Sequence, residues 1–450
     1  MTNTQTFEPA VNHVISLLLQ TLRKLSDTLE RSSLEQLQLQ GLAATNEAMR
    51  LWIQETVQQR SDEIPEFVRV DGVVYRRHQE GRVQYHDLCG PLWINRSTYR
   101  RTDKRNGETI VPLDLAEGMI RRTTPVMALA VMHCHANSTP RAVHKDMQAV
   151  HRCPPSVATL DRLGRGLGND FKQAIPEIEP VVRSEEEIFD EARGLSVGLD
   201  RTTVPMAEGE GTDVHVRYRM AYVGTVSMTD SEGNSLKSWR YGAAAHEGPH
   251  DIIKRMMADV RRVLSVKPGL PIVLVQDGAD EMWNLTRAGL RAEPMVGTWR
   301  EVIDWYHLTE RLAKIVELME PEEQRREKLL DRWKASLLKN DRAVYRIIGA
   351  MNAHQLIHRS KAMSDHLTYF INSPKMQYAS VRAEGLPIGS GVTEGACKSL
   401  VAIRAKRSGQ RWRQRGIDAV LALRSTEQSD RLASSWPRFA KRFTASICAA

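Results

Sequence analysis

The stretch Pro271-Ile272-Val273-Leu274-Val275-Gln276-Asp277 is a short apolar run that ends in a carboxylate. It is apolar at consecutive positions rather than at every second one. That pattern reads as a strand covered on both faces, inside a parallel or mixed sheet. Leu195-Ser196-Val197-Gly198-Leu199-Asp200 has the same form and the same ending. Between the two, Val214, Val216, Tyr218, Met220 and Tyr222 alternate, which predicts a half-buried strand. Ser231-Glu232-Gly233-Asn234 reads as a turn, and Lys237 to Tyr241 as the returning strand. Pro249 to Val263 carries Ile252, Ile253, Met256, Met257 and Val260 at helical spacing. Downstream, Gly278 allows a sharp turn into a helix from Ala279 to Leu290, followed by the apolar segment Val302-Ile303-Asp304-Trp305-Tyr306-His307. Three strands, helix, strand, helix, strand, helix is the order of a ribonuclease-H-like mixed sheet, an α/β layered core.

Buried strands that end in Asp bring carboxylates to the edge of an open sheet where ligands bind. Asp200 and Asp277 lie on two such strands, and on neighbouring strands their side chains would converge. Two carboxylates held together repel unless a cation joins them, and Mg²⁺ takes hard oxygen ligands of this kind. A single strand-end Asp is more commonly a helix cap, so the pair needs a third partner. Glu394 supplies it, in Gly385-Leu386-Pro387-Ile388-Gly389-Ser390-Gly391-Val392-Thr393-Glu394-Gly395-Ala396-Cys397-Lys398. The glycine-rich lead-in is a connection, and Glu394 falls in the first turn of the helix after it. Next comes Arg404-Ala405-Lys406-Arg407-Ser408-Gly409-Gln410-Arg411-Trp412-Arg413-Gln414-Arg415, cationic with an embedded Trp and no acid. Charge runs are usually solvated faces. Beside three acids, and with an aromatic inside it, this one suits a phosphodiester substrate, with Arg404, Lys406, Arg407, Arg411, Trp412 and Arg413 as DNA contacts.

Five segments occur in order: Gly198-Leu199-Asp200-Arg201-Thr202-Thr203-Val204-Pro205-Met206; Val275-Gln276-Asp277-Gly278-Ala279; Ile303-Asp304-Trp305-Tyr306-His307; Ile388 to Lys398; and Lys406-Arg407-Ser408-Gly409-Gln410-Arg411-Trp412. Together they resemble bacterial insertion-sequence transposases, most nearly the Kra-type insertion-sequence family, kin to the Mutator-like group. The resemblance spans roughly residues 60 to 425. It implies a DDE triad on a ribonuclease-H-like fold, and by motif match the triad is Asp200, Asp277 and Glu394. Asp304 and His307 match the Asp-x-x-His signature that accompanies the site in the wider group. Many members carry Gly after the first acid, where this chain has Arg201. The resemblance implies two Mg²⁺ ions, replaceable by Mn²⁺, held by the three acids. It implies cleavage at insertion-sequence ends and 3′-OH strand transfer into target DNA, in a homo-oligomer that brings ends together. The rival readings are a structure-selective nuclease that stops at hydrolysis and a domesticated DNA-binding protein without catalysis.

The rest of the chain frames this core. Residues 311–384 form mostly helical sequence, resembling the helical insertion such transposases carry, with Trp333 read as a core residue. Residues 1–62 read as a helical region for packing or dimerisation, from Val14, Ile15, Leu18, Leu22, Leu25 and Leu29. Residues 63–112 read as hairpin-rich and basic around the Asp71-Gly72 turn, with Arg96, Arg100, Arg101, Lys104 and Arg105. Residues 113–185 read as three short helices of helix-turn-helix type, the last one, Val157 to Leu167, exposing Thr159, Arg162 and Arg165 to DNA. The catalytic core is expected over 190–310 and again over 385–450 with a basic tail. His133-Cys134-His135 does not read as a metal site, because adjacent helical residues point apart. With 63 Lys and Arg against 55 Asp and Glu, the net charge of +8 favours a polyanionic partner. No apolar run approaches the ~20 residues a membrane helix needs. Five cysteines without a C-x-x-C pair suit a reduced compartment, and no secretory pattern opens the chain. The expected location is the bacterial cytoplasm, at the nucleoid when acting.

Overall fold

The computed structural model describes residues 33–277 and 280–450, with a few helical positions between 12 and 23. The expected stripe positions Val14, Leu22, Leu25 and Leu29, and the turn at Gly278 and Ala279, lie outside the described residues. The chain forms two compact units, Met1–Ile178 with Leu432–Ala450, and Glu179–Arg431. Residues 432–450, expected to continue the catalytic core, therefore belong to the first unit.

In the first unit, helix α1 (Leu34–Asp62) is followed by strands β1 (Phe67–Val70), β2 (Val73–Asp87), β3 (Gly90–Arg101) and β4 (Thr109–Ile110). They pair antiparallel in sequence order, and Cys448–Ala449 adds to the far side of β1. The Asp71-Gly72 hairpin forms as expected, with both residues at positive φ. Helix α1 covers the edge of β3 through residues four apart. Arg50 donates to Pro91 O at 3.3 Å, Gln54 accepts from Trp93 N at 2.9 Å, and Gln58 accepts from Asn95 N at 2.8 Å. Four helical residues rise ~6 Å. Two strand residues rise ~6.6 Å, so the two ladders match and the edge is satisfied. Three helices follow the short α2 (Pro112–Glu117): α3 (Pro125–Asn137), α4 (Pro140–Ala149) and α5 (Val157–Glu185). The last helix is longer than the sequence predicts. It runs through Pro176 and Pro180 to Glu185. Its Gly164 makes room for the ring of His135 on α3, where a Cβ would sit 2.4 Å from the imidazole.

The second unit carries the mixed sheet: β5 (Gly194–Glu208), β6 (His215–Thr229), β7 (Ser235–Ala243), β8 (Ile272–Gln276) and β9 (Arg300–Ile303). The spatial order is β7-β6-β5-β8-β9. Strands β5, β6 and β7 are antiparallel neighbours, and β8 and β9 run parallel to β5. Helices α6 (His250–Val266) and α7 (Asp280–Ala292) make the crossovers. This is the ribonuclease-H-like α/β fold expected from the sequence. All five residues of β8 are buried, as its continuous apolar run requires. One expectation fails within β6. Val216, Tyr218 and Met220 alternate, yet they are exposed by 43%, 70% and 40%. Alternation fixes sidedness only. Here the end of the β5–β6 hairpin extends past the layer that covers the sheet.

The insertion packs on the same core rather than forming one of its own. Helices α8 (Trp305–Met319), α9 (Glu323–Lys339), α10 (Ala343–His358) and α11 (Lys361–Tyr369) contribute Leu312, Trp333, Leu337, Ile347 and Met363 to the cluster under β8 and β9. At its other end the core is closed by a buried ion network. Arg431 donates to Asp259 at 2.7 Å and Glu179 at 3.1 Å, and Arg183 donates to the same Asp259 at 2.6 Å. Buried charge is tolerable only when paired in this way. Among the described residues, no helix is long and apolar enough to cross a membrane.

Candidate active site

Asp304 lies at the end of β9 and caps α8. Its side chain is fully buried. Oδ1 accepts from His307 N at 2.8 Å and from the His307 ring at 3.1 Å, and Oδ2 accepts from Ser390 N at 2.5 Å. Burial alone would raise its pKa. The His307 ring and the two amides outweigh that and hold the carboxyl below the usual range. His307 responds in the opposite sense. The Asp304 hydrogen bond, opposed by partial burial and aided by the charges of Asp304, Glu394 and Asp277, lifts its pKa to about 9. At neutral pH the ring is an imidazolium.

The Gly385–Ser390 connection reaches this corner through Trp305 N, which donates to Ile388 O at 3.0 Å. Helix α12 (Tyr378–Ala383) precedes the connection and α13 (Gly391–Ala396) follows it. Glu394 on α13 accepts from Ser390 Oγ at 2.7 Å and lies 3.6 Å from His307 Nδ1. A π-helical stretch, Cys397–Ala402, continues from α13. Cys397, three residues after Glu394 and on the same side of the helix, donates its thiol to Asp200 Oδ2 at 3.2 Å. Burial first, and then the Asp200 charge, raise the thiol pKa, so Cys397 stays protonated and acts as a donor. Asp200 also accepts from Arg201 N at 2.6 Å. Arg201 itself pairs with Glu281 at the start of α7. Helix α13 can lie this close to β5 because residue 198 has no side chain. A Cβ there would be 2.1 Å from Thr393 Oγ1.

Asp277 follows β8 directly, and its carbonyl accepts from Trp283 Nε1 at 2.7 Å. It lines a cavity of about 460 Å³ with His307, Glu310, Arg311, Lys314, His366 and Tyr369. The Arg311 guanidinium stacks over the Tyr369 ring at 3.9 Å. Burial, then Arg311 and Lys314, hold the His366 pKa below its ordinary value, which marks the far wall as electropositive.

The three predicted acids thus share one neighbourhood but do not meet in one tight cluster. Ligand atoms of Asp304, His307 and Glu394 lie within 4.8 Å of one another, and Asp200 and Asp277 are outside that group. Glu394 links both sides, through His307 towards Asp277 and through Cys397 towards Asp200. Among the predicted DNA contacts, Lys406, Arg407, Arg411 and Arg413 are exposed. Arg404 and Trp412 are not available in the same way. Arg404 is 1% exposed and lies over the Trp412 ring at 4.8 Å. Trp412 is fixed to β5 by backbone hydrogen bonds to Pro205 O at 2.9 Å and from Ala207 N at 2.8 Å, and it packs on the cluster under α13. These two hold the basic segment in place. In the first unit Arg162 is exposed, and Arg165 is paired with Asp161 one turn earlier. Ser390, Cys397, Arg311, Lys314 and His366 went unpredicted as site residues. Only Ser390 and Cys397 carried any sequence signal, by standing in the Glu394 segment.

No protein-family model and no curated relative matches the chain. Solved structures that resemble it do so distantly, among them the following two. One is a Drosophila P element transposase strand transfer complex, at 10% identity and a TM-score of 0.27, with 71% of this chain and 83% of that one covered. The other is a Mos1 transposase paired-end complex with left transposon end, at 10% identity and a TM-score of 0.17, with 60% and 81% covered.

Proposed function

We propose that the chain is a DNA transposase of the DDE type. The observation that supports this is that Glu394 lies 3.6 Å from His307, which shares a pocket with Asp277, Arg311 and Lys314, while Cys397 on the continuing helix donates to Asp200. The donor set of carboxylate oxygens fits hard divalent cations. Asp200, Asp277 and Glu394 would hold them, as two Mg²⁺ or Mn²⁺ ions. Such ions activate a water or a 3′-hydroxyl and stabilise the leaving 3′ oxygen.

The chain's own residues do the rest. Asp304 holds Nδ1–H of His307, which leaves Nε2–H to donate to a phosphate oxygen. Arg311 and Lys314 attract the strand backbone, and exposed Lys406, Arg407, Arg411 and Arg413 extend that attraction. In the first step water attacks phosphorus and the P–O3′ bond breaks at the element's end. In the second the freed 3′-oxygen attacks a target phosphate and displaces its 3′-oxygen. The deciding experiment incubates wild type, Asp277→Asn and Glu394→Ala with DNA bearing the flanking element ends and Mg²⁺. Nicks at the ends with joined products, absent from both variants, are expected. A fully active Asp277→Asn enzyme would overturn the assignment, and nicks without joining would make the protein a nuclease.

A further inference from the structure

The first unit contains a two-residue turn of uncommon composition. Ile120 N donates to Thr123 O at 3.0 Å, and Thr123 N donates to Ile120 O at 2.9 Å. The two residues between them, Arg121 and Arg122, have φ of 52° and 61°. Two positive φ values in a two-residue loop are the pattern of a type I′ turn, whose usual residues are Asn-Gly or Gly-Gly. Consecutive arginines are strained there, and such strain persists where neighbours enforce it and a function uses it.

The neighbours are visible. His86 N donates to Arg122 O at 2.9 Å, and Thr124 N donates to His86 O at 3.0 Å. Arg121 makes a two-pronged pair with Asp170, at 2.6 and 2.7 Å. To do so its guanidinium passes over Gly166 of α5, where a Cβ would sit 2.8 Å from it. The turn opens on a cavity of about 460 Å³ lined by Gln84, His86, Arg121, Arg122, Thr159 and Arg162. Asp170 engages Arg121. Arg122 and Arg162 are exposed, and neither forms an ion pair among the described residues. Burial, then Arg162 and Arg122, hold the His86 pKa below its ordinary value. The notch is therefore electropositive, open, and furnished with hydroxyl and amide groups beside its guanidinium groups.

We propose that this notch is a phosphodiester clamp, in which Arg122 and Arg162 hold one backbone phosphate of duplex DNA. This rests on the reading of the protein as a DNA enzyme. It adds a sequence-independent contact in the unit that does not carry the catalytic acids. The strained turn aims Arg122, and the Arg121–Asp170 pair anchors the turn to the helix that carries Arg162.

The test is a fluorescence-anisotropy titration of full-length protein with a labelled duplex of arbitrary sequence over a salt series, without divalent cations. Arg162→Gln and Arg122→Gln should each lower the slope of log K against log salt, the double variant by about 1 in all, and weaken all sequences alike. Arg122→Gly should lower the slope equally while raising the melting temperature, because glycine accepts the positive φ. Unchanged slopes in Arg122→Gln and Arg162→Gln overturn the clamp and leave the DNA reading intact. A fall in melting temperature for Arg122→Gly overturns the strain argument on which the clamp stands. Inorganic phosphate at constant ionic strength should weaken duplex binding by wild type but not by Arg162→Gln; phosphate that binds at Arg162 and leaves duplex binding unchanged would mean that the notch takes a free anion instead. A wild-type protein that binds no duplex at all removes the DNA reading itself, and the clamp with it.

Discussion

Gly198→Ala tests how the acids are held. Gly198 lies on β5 two residues before Asp200, at the point where α13 crosses the strand. A Cβ there would be 2.1 Å from Thr393 Oγ1 and 3.2 Å from Thr225 Oγ1. Ordinary contact begins at 3.4 Å, so Thr393 must withdraw by more than 1 Å. Glu394 is the next residue and moves with it. The overpacking costs roughly 1–3 kcal/mol. The buried Thr225–Thr393 hydrogen bond, 2.7 Å long, is also lost, at about 1 kcal/mol. Replacing a strand glycine returns ~0.5 kcal/mol. The net expectation is a loss of roughly 2–3 kcal/mol. The effect on chemistry should be larger, since a ~1 Å misplacement of a reacting group can cost ~10²-fold in rate. Urea unfolding and single-turnover DNA cleavage measure the two effects separately. The double variant Gly198→Ala, Thr393→Ala removes the colliding hydroxyl and should recover most of the lost stability. If Gly198→Ala unfolds and cleaves like wild type, or if the double variant is no better than the single one, then α13 is not seated on residue 198 and the argument fails.

Asp304→Asn keeps the shape of the buried cap and removes its charge. In metal-free protein, histidine ring NMR should place the His307 pKa at about 9 in wild type and nearer 6.5 in the variant. A raised folded-state pKa contributes stability that is fully present below 6.5 and is lost as pH rises through about 9. Wild type should therefore lose stability across that window more steeply than Asp304→Asn, and parallel curves would exclude the pairing. Trp412→Ala should cost about 3 kcal/mol, with an unchanged salt slope for DNA binding, because its ring packs against the core. Arg411→Gln should do the reverse, leaving stability alone and lowering the slope by about 1. A Trp412 variant that loses DNA binding while keeping full stability would restore Trp412 to the DNA interface.

Much of the second unit was legible because its residues carry one message each. The run Ile272 to Gln276 is apolar throughout, and all of it is buried between crossover helices. The Met256 and Met257 face of α6 meets the sheet at the expected period. Of the two Asp residues read as strand ends, Asp277 does follow β8, but Asp200 lies inside β5, which runs on to Glu208 because its pairing with β6 continues past the apolar run. What failed depended on contacts distant in sequence. Nothing local to Val216, Tyr218 and Met220 says that this end of the hairpin is uncovered. The helical continuation through Pro176 and Pro180 runs against local propensity. There Ile175 and Ile178 are buried, and packing overrides the two missing amide donors. Ser390 and Cys397 act on the site only because Gly198 lets α13 approach β5, which no spacing rule contains. Arg311, Lys314 and His366 reach Asp277 from an insertion whose sequence reads simply as helix.

The same consideration divides the arginines, and the division matters for how the charge is interpreted. An excess of +8 invites every basic residue to be read as a DNA contact. Burial separates two populations. Arg404 is 1% exposed over Trp412, and Arg431 is 3% exposed among Asp259, Glu179 and Glu186. A guanidinium buried to that degree has spent its donors within the fold, so its removal unfolds the protein before it reports on a ligand. Lys406, Arg407, Arg411 and Arg413 are instead exposed, as are Arg122 and Arg162 at the notch of the first unit. Only this second population can release counterions when DNA binds. A charge-neutralising scan should therefore split cleanly, with exposed positions changing the salt slope at constant stability and buried ones changing stability at constant slope. The adjacent pair Arg411 and Trp412 is the sharpest place to see it, because sequence proximity there predicts one behaviour and the fold predicts two.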